Sequence, residues 1–421
     1  MISRWQWILG QTVRKLWFRT ALFALAAVVT ALLSIAFKSL IPASVSVKVG
    51  AEAVDNILNI LASSMLAVTT FSLSIMVAAY GSATTSVTPR ATRLVVEDST
   101  TQNVLATFIG TFLFSLVGIV ALNMGAYGEQ GRVILFVVTL GVIALIVITL
   151  LRWIQHLTAL GRVGETTARV EKAAQQALLA RAQAPYLGGF PWLDSAQQPA
   201  GTLALYPQSV GYVEHVDVGK LASALNGSDV HVWLVAQPGC FAHPAQPALY
   251  VTPGCTQAQR QHLLAAISIS DVRSFYQDPR FCLSVLAEIA CRALSAAVND
   301  PGTAIDVIGR AVRVLSQYAG QMPEHADVTY PNVHIAPLSV DNLFDDIFSP
   351  IARDGAALRE ISLRLIKSLS LLEQGWPQLY ATAAQRHVQE IMCYIEQENY
   401  IDSDRQLLKQ TCQRLFPAAQ V

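Results

Sequence analysis

The stretch NILNILASSMLAVTTFSLSIMVAAYGSATTSVT, residues 56–88, combines great apolar length with many hydroxyl groups. It contains no Asp, Glu, Lys or Arg, and serine and threonine recur throughout it. About 20 apolar residues in a helix are enough to cross a bilayer. The stretch therefore predicts a membrane-spanning helix that is unusually rich in hydroxyl side chains.

Three more charge-free runs flank this stretch, and they lie between Arg19 and Lys38, between Asp98 and Glu129, and between Arg132 and Arg152. The chain is 53% hydrophobic and only 14% charged, whereas soluble domains carry about 25% charged residues. Beyond residue 160 charges return and no such run recurs. We predict an α-helical integral membrane protein with four transmembrane helices, at about 20–41, 56–80, 101–124 and 133–151, and a C-terminal cytoplasmic α+β domain.

The cations are distributed asymmetrically between the loops. They precede the first predicted span, lie between the second and third, and follow the fourth, at Arg4, Arg14, Lys15, Arg19, Arg90, Arg93, Arg152, Arg162 and Arg169. By the positive-inside rule both termini are expected to be cytoplasmic, in a bacterial inner membrane. The tryptophan-rich N-terminus is expected to lie at the headgroup level and not to be a cleaved signal.

Five regions are expected along the chain. They are an interfacial N-terminal segment (1–19), the four-helix transmembrane domain (20–153), a helical connector and linker (154–200), a small α+β subdomain (201–270) and a helical subdomain (271–421). Strand-like alternation is confined to about 202–252 in this interpretation. From Thr256 onward the patterns predict helices to the end.

The hydroxyl groups of the second span admit two interpretations. In the first, the hydroxyl groups line a pore and present their oxygens to ions or polar solutes. The candidate pore-lining residues are Ser63, Thr69, Thr70, Ser72 and Ser74. Alternatively, small hydroxylated residues let helices pack closely in lipid, and we favour packing for Thr107, Thr111, Ser115 and Gly118 of the third span. The membrane interior holds no charged residue, which favours a passive path over a proton-driven pump.

The segment between the second and third spans, TPRATRLVVEDSTTQNV, is explained largely by topology and capping. Pro89 is expected to end a helix, and Arg90 can contact lipid phosphates. Asp98 or Ser99 is expected to cap the third span, where a negative charge suits the helix dipole. A functional interpretation would make Arg90 a gate or a lipid contact.

The soluble stretch CRALSAAVNDPGTAIDVIGR, residues 291–310, predicts a break between two helices. Asp300 is expected to cap the second helix with Pro301 at its first position. An Asp306–Arg310 pair should form along that helix. Six polar residues are candidate members of a network between the two helices. They are Glu288, Arg292, Ser295, Asn299, Asp300 and Asp306.

No enzyme signature, cofactor motif or metal-ligand spacing occurs in the sequence, and no basic cluster suits nucleic acid. The six cysteines form no CxxC pair and are expected to be reduced. We therefore expect no enzymatic activity, no cofactor and no metal.

Two stretches together resemble an uncharacterised bacterial membrane-protein family, the domain of unknown function 2254. The family's FS…(S/T)PR…D…Q pattern matches Phe71, Ser72, Thr88, Pro89, Arg90, Asp98 and Gln102. Its R-A-L-S-P-A-x-N-D-P-x-T-A block matches Arg292–Ala304, except that Ala296 replaces a proline. A Leu-Gly of the third span is Leu105-Ala106 here. The resemblance implies membrane topology and no established activity.

Two functions remain open at the level of sequence. The first is an oligomeric inner-membrane channel or channel-like passive transporter, a homo-oligomer whose cytoplasmic domain assembles or gates it. The alternative is a membrane-anchored sensor or scaffold whose cytoplasmic domain binds a small ligand or a protein. An enzyme acting on a membrane lipid comes third, since no residue set supports it.

Overall fold

The computed structural model describes residues 51–96, 98–125, 128–158, 161–195 and 197–417, with Phe18, Ala21, Leu22, Leu25, Val28 and Val29. Contacts between residues divide the chain into two units, one up to Glu165 and one from Thr166 onward. The first predicted span, 20–41, lies largely outside the described residues. The interfacial segment 1–19 does so too, apart from Phe18.

The first unit is made of helices: α1 (Ala51–Ser86), α2 (Pro89–Val96), α3 (Ser99–Asn123) and α4 (Gly128–Leu157). Three helices are long and apolar enough to cross a membrane, over Ala53–Ser82, Thr100–Asn123 and Gly131–Leu157. These correspond to the second, third and fourth predicted spans. Pro89 begins the short helix α2, which separates α1 from α3.

Helix α3 packs closely against α1 because small residues line its inner face. Thr107, Thr111 and Ser115 are buried. A Cβ on Gly118 would lie only 3.1 Å from the Leu58 side chain of α1. This burial agrees with the packing interpretation of the third span and accounts for its row of small residues.

The second unit mixes helices and strands in the order α5 (Val163–Gln183), β1 (Gly189–Pro191), β2 (Leu203–Leu205), β3 (Gly211–Val216), α6 (Val218–Ala224), β4 (Val232–Leu234), β5 (Phe241–Ala242), β6 (Leu249–Val251), α7 (Gln257–Leu264), β7 (Ile267–Ser270), α8 (Pro279–Leu294), α9 (Pro301–Gly320), β8 (Tyr330–Ile335), α10 (Val340–Asp354), α11 (Arg359–Gly375), α12 (Pro377–Gln397) and α13 (Asp402–Leu415). Helix α8 packs against α9 and α10, while α11 packs against α9, α12 and α13.

The larger sheet has five strands in the order β1-β8-β4-β6-β2, and β1, β8 and β4 are parallel. The smaller sheet has the order β5-β3-β7. The prediction that the chain is helical from Thr256 onward was wrong at β7 and β8. Strand β8 is paired on both sides and buried on one face, and its partners lie more than a hundred residues away, so a local pattern alone did not reveal it.

One face of the five-stranded sheet is packed into the core of the unit, and the other carries aromatic rings. Val232, Leu234, Val333 and Ile335 are fully buried on the packed face. On the open face the register aligns one residue from each strand in a row: Phe190, His334, Trp233, Tyr250 and Ala204. The rings of Trp233 and His334 stack with centroids 4.6 Å apart.

Helix α5 is fastened to the rest of this unit by ionic and polar contacts. The buried Glu171 accepts from Nη1 of Arg310 at 2.6 Å and from Nε of Arg313 at 2.9 Å. Arg181 donates to the side-chain oxygen of Gln237 at 2.8 Å and to the carbonyl of Ala336 at 3.2 Å. Burial lowers the pKa of Arg181 to about 10.

The pair His231–His334 is expected to make the sheet sensitive to acid. His231 Nδ1 and His334 Nε2 are 2.9 Å apart, and burial, followed by the charge of His231, lowers the pKa of His334 from 6.5 to about 4. Between these two pH values the unfolded chain binds a proton that the folded chain excludes, so stability is lost as the pH falls.

In His334→Phe, the melting temperature should fall less from pH 6.5 to pH 4 than in the wild type. Equal slopes in thermal scans of the full chain would contradict this assignment.

Removing the Glu171 carboxylate should destabilise the second unit. Glu171→Ala leaves two arginines without a buried acceptor, although Arg310 keeps Asp306 at 2.7 Å, so we expect a loss of about 2 kcal/mol. The matched control is Asp306→Asn, whose side chain is 50% exposed and whose pair contributes about 0.5 kcal/mol or less. Thermal unfolding of the full chain in detergent would compare them, and similar losses would be the contrary result.

Candidate functional site

A polar cluster joins the three membrane helices, and we call it the inner polar cluster: Ser72, Asp98, Thr101, Trp153 and His156. Ser72 comes from α1, Asp98 and Thr101 from the start of α3, and Trp153 and His156 from the last turns of α4. Each helix contributes a polar side chain to a contact that is otherwise apolar. The cluster is therefore the place where polar chemistry is concentrated between the described membrane helices.

Trp153 links α4 to α1. Its indole Nε1–H donates to the Ser72 hydroxyl at 3.0 Å, and the two side chains are 2% and 1% exposed. A buried indole N–H needs an acceptor, because leaving it unpaired costs about 1–3 kcal/mol. The same indole stacks on the His156 ring with centroids 5.7 Å apart.

Asp98 links α3 to α4. Its carboxylate caps α3 by accepting from the Thr101 N–H at 2.8 Å and from the Thr101 hydroxyl at 2.7 Å. The same carboxylate oxygen lies 2.9 Å from His156 Nε2, and both side chains are largely buried. Nε2 can donate to this oxygen whether the imidazole is neutral or charged. The imidazole therefore ties α4 to the capped end of α3.

The structure separates the five pore-lining candidates. Ser63, Thr70 and Ser74 are exposed, Thr69 is half-buried and Ser72 is buried. Apart from Ser72, each hydroxyl donates to a carbonyl four residues earlier in α1. Ser72 thus belongs to the interior of the protomer and not to its exposed face.

The residues predicted between the second and third spans also occupy different settings. Asp98 caps α3, as expected, while Arg90 is exposed in the first turn of α2. Gln102 is half-buried in the first turn of α3. Only Asp98 of this group belongs to the inner polar cluster as defined above.

The soluble candidates are arranged around the turn between α8 and α9. Ser295 ends α8 and its hydroxyl donates to the Arg292 carbonyl at 2.7 Å. Asn299 has a left-handed backbone, with φ +50°, which asparagine tolerates better than most residues. Asp300 caps α9 by accepting from the Thr303 hydroxyl at 2.5 Å and from the Thr303 N–H at 3.1 Å, and these two bonds, the hydroxyl's first, lower the pKa of Asp300.

The remaining members of that group lie along the two helices. Glu288 and Arg292 are half-buried on α8, and Asp306 is exposed and pairs with Arg310. Ser295, Asn299 and Asp300 are exposed, so the motif shapes the turn and presents its polar groups outward. A binding role for these residues stays a prediction.

Sequence reasoning missed three members of the inner polar cluster, Thr101, Trp153 and His156. The available signal was the spacing of Trp153 and His156, three residues apart at the end of an apolar helix, where both rings share one face. Among the described residues there is no group of His, Cys, Asp or Glu that could hold a metal ion.

A family model described as a predicted membrane protein matches residues 13–370, most of the chain. The chain belongs to the DUF2254 family. The resemblance drawn from the two sequence motifs is therefore confirmed. In this DUF2254 protein one motif supplies Ser72 and Asp98 of the inner polar cluster, and the other forms the turn between α8 and α9.

Two mycobacterial proteins are similar to part of this chain. Uncharacterized proteins of Mycobacterium bovis and Mycobacterium tuberculosis are each 29% identical over 270 residues, or 60% of this chain. The matched region is 49% of each relative, so the chain spans about half the length of the curated relatives it matches. No solved structure matches the chain.

The link between Trp153 and Ser72 can be tested by substitution. Ser72→Ala should destabilise the membrane unit by about 1–2 kcal/mol, because it leaves the buried Trp153 N–H without its acceptor. Ser74→Ala is the matched control: its side chain is exposed and bonds to the Thr70 carbonyl, so a change within about 0.5 kcal/mol is expected.

The measurement is thermal unfolding of both variants in the same detergent. A double variant, Ser72→Ala with Trp153→Phe, should lose less than the sum of the two single changes, since no unpaired donor remains. Equal losses for Ser72→Ala and Ser74→Ala would contradict the assignment.

Proposed function

We propose that this protein is a homo-oligomeric inner-membrane channel or channel-like passive transporter, with four spans and both termini in the cytoplasm. The observation that carries the proposal is a polar row on the outer face of α1. Its members are exposed and spaced by three, four or seven residues, and they are Asn56, Asn59, Ser63, Thr70 and Ser74. Such spacing places them along one side of a helix.

The rotation of α1 supports this role. Ser72 is held inward by Trp153, and residues two positions away on a helix lie about 200° around its axis. Thr70 and Ser74 are consequently turned outward. A polar face of a membrane helix is most stable when it contacts another polar face or water. If several copies of α1 surround a shared axis, their polar faces meet there and can enclose a water-filled path.

The outward hydroxyls suit a passive path. They donate to their own helix, at 2.9 Å for Ser63, 2.6 Å for Thr70 and 3.0 Å for Ser74, so their oxygens can still accept. No charged side chain stands in this row, which suits polar or weakly held solutes over a fixed proton relay. We expect no enzymatic activity from this arrangement.

The test uses single cysteines in the membrane helices. All six native cysteines lie at or beyond position 240, and the two exposed ones, Cys240 and Cys393, can be replaced by serine as background. Thr70→Cys should cross-link between copies under mild oxidation, because the polar faces meet at the axis. Val147→Cys is the control, on an exposed position of α4, and should not cross-link.

The same variants test transport. In liposomes, a thiol-specific blocking reagent should reduce the flux of potassium, chloride or glycerol through Thr70→Cys and leave Val147→Cys unchanged. Cross-linking of both variants to the same extent, or flux that the reagent does not alter, would count against a path lined by α1.

The second candidate is a membrane-anchored sensor, and a specific observation favours it. The second unit contains a crevice of about 390 Å³, within the ~300–1,000 Å³ range of small-molecule sites. The crevice lies wholly within the unit that begins at Thr166, whereas the proposed path runs along α1 of the first unit. One protein could therefore have both functions.

A further inference from the structure

The crevice opens at one edge of the five-stranded sheet. Strands β1, β4 and β8 are parallel, and the segments that follow β1 and β4 supply Trp192, Val235 and Ala236 to its lining. In sheets with parallel strands, ligands bind beyond the carboxyl ends of those strands, where the loops diverge. The crevice therefore lies where sheets of this kind commonly bind ligands.

The lining is aromatic and polar but carries no formal charge. No Asp, Glu, Lys or Arg is among the described residues that line it; its rings are Trp192, Phe241, His243 and Tyr250. Two arginines whose charges act on Cys240 of the lining are paired with carboxylates: Arg280 with Asp346 at 2.6 Å and Arg273 with Asp278 at 2.7 Å. A charged ligand would find no counter-ion in the crevice, so the lining fits a neutral one.

Two hydrogen-bonding groups in the lining have no protein partner within the part of the chain that the structure describes. They are the indole N–H of Trp192, a residue only 8% exposed, and the hydroxyl of Tyr250. The two rings meet edge to face, with centroids 6.4 Å apart. The Trp192 side chain is buried and that of Tyr250 is half-buried, and neither donor atom is fully enclosed, so both can donate to an acceptor on a molecule in the crevice.

Further polar groups have fixed orientations. Nδ1 of His243 accepts from the Ala245 N–H at 3.1 Å, which leaves the proton of the neutral ring on Nε2. Nε2 of Gln198 donates to the Thr202 carbonyl at 2.9 Å, which leaves its side-chain oxygen available to accept a hydrogen bond. Gln246 adds a carboxamide with an adjacent donor and acceptor.

We propose that this crevice binds an uncharged planar heterocycle of the nucleobase or nucleoside type. Aromatic side chains provide surfaces on which bases stack, and carboxamides pair with the donor and acceptor edges of a base. Trp192 and Tyr250 donate to its ring nitrogens or carbonyl oxygens. The proposal rests on the sensor function and is independent of the channel.

Binding of adenosine, guanosine, cytidine and uridine to the full chain in detergent tests the proposal, by equilibrium dialysis. At least one should bind saturably, with a dissociation constant below about 1 mM. Trp192→Phe and Tyr250→Phe keep an aromatic ring at each position and remove one donor each, and each should weaken binding about fivefold. The monophosphate of the bound nucleoside should bind no more tightly, because no cation lines the crevice.

Two variants separate binding from folding. Trp233→Phe, on the same sheet face but outside the crevice lining, should bind as the wild type does. Gln246→Ala changes an exposed side chain and should weaken binding without lowering the melting temperature. Absence of saturable binding by all four nucleosides, binding unaffected by the Trp192, Tyr250 and Gln246 changes, or tenfold tighter binding of the monophosphate would overturn the proposal. None of these results bears on cross-linking through α1.

Discussion

The hydrogen bond from Trp153 to Ser72 sets the rotation of α1, and the proposed function depends on that rotation. A buried indole N–H must find an acceptor, and between the membrane helices Ser72 provides it at 3.0 Å. Since α1 is a continuous helix from Ala51 to Ser86, fixing one residue inward fixes the rest. The hydroxyls of Ser63, Thr70 and Ser74 then lie on the exposed side. The same tryptophan stacks on His156, whose imidazole meets the Asp98 cap of α3, so one ring positions all three helices.

In the second unit, distant segments of the chain have to meet before any site can form. The five-stranded sheet takes β1 from just after α5, β2, β4 and β6 from the middle of the unit, and β8 from between α9 and α10. Glu171 and Arg181 hold α5 to α9 and to the ends of β4 and β8. The crevice at the sheet edge follows from this assembly, because its lining comes from the segments after β1, β2 and β4, from β5, and from β6 with the residues before it.

The family motif at 291–304 has a structural explanation that needs no ligand. Ser295 ends one helix, Asn299 supplies the left-handed residue, and Asp300 caps the next helix with Pro301 at its first position. Each residue type suits its position for a reason of backbone chemistry. The polar groups of this turn are exposed, whereas those of the membrane motif, Ser72 and Asp98, are enclosed between helices. One family motif thus shapes an exposed turn, and the other supplies buried contacts between membrane helices.

The sequence by itself determined the three membrane helices that the structure describes, the caps at Asp98 and Asp300, and the family. These follow from local properties: the length of charge-free runs, the preference of aspartate for helix starts, and short residue patterns. Only the tertiary structure decided that Ser72 faces inward while Ser63, Thr70 and Ser74 face outward, because hydroxyl groups occur on more than one side of α1 and the sequence does not show which side meets the other helices. Likewise β8 was missed, since a strand is stabilised by partners from elsewhere in the chain. The pairing of Trp192 with Tyr250, and of His156 with Asp98, brings together residues more than fifty positions apart, and no local pattern records which distant side chain a residue will meet.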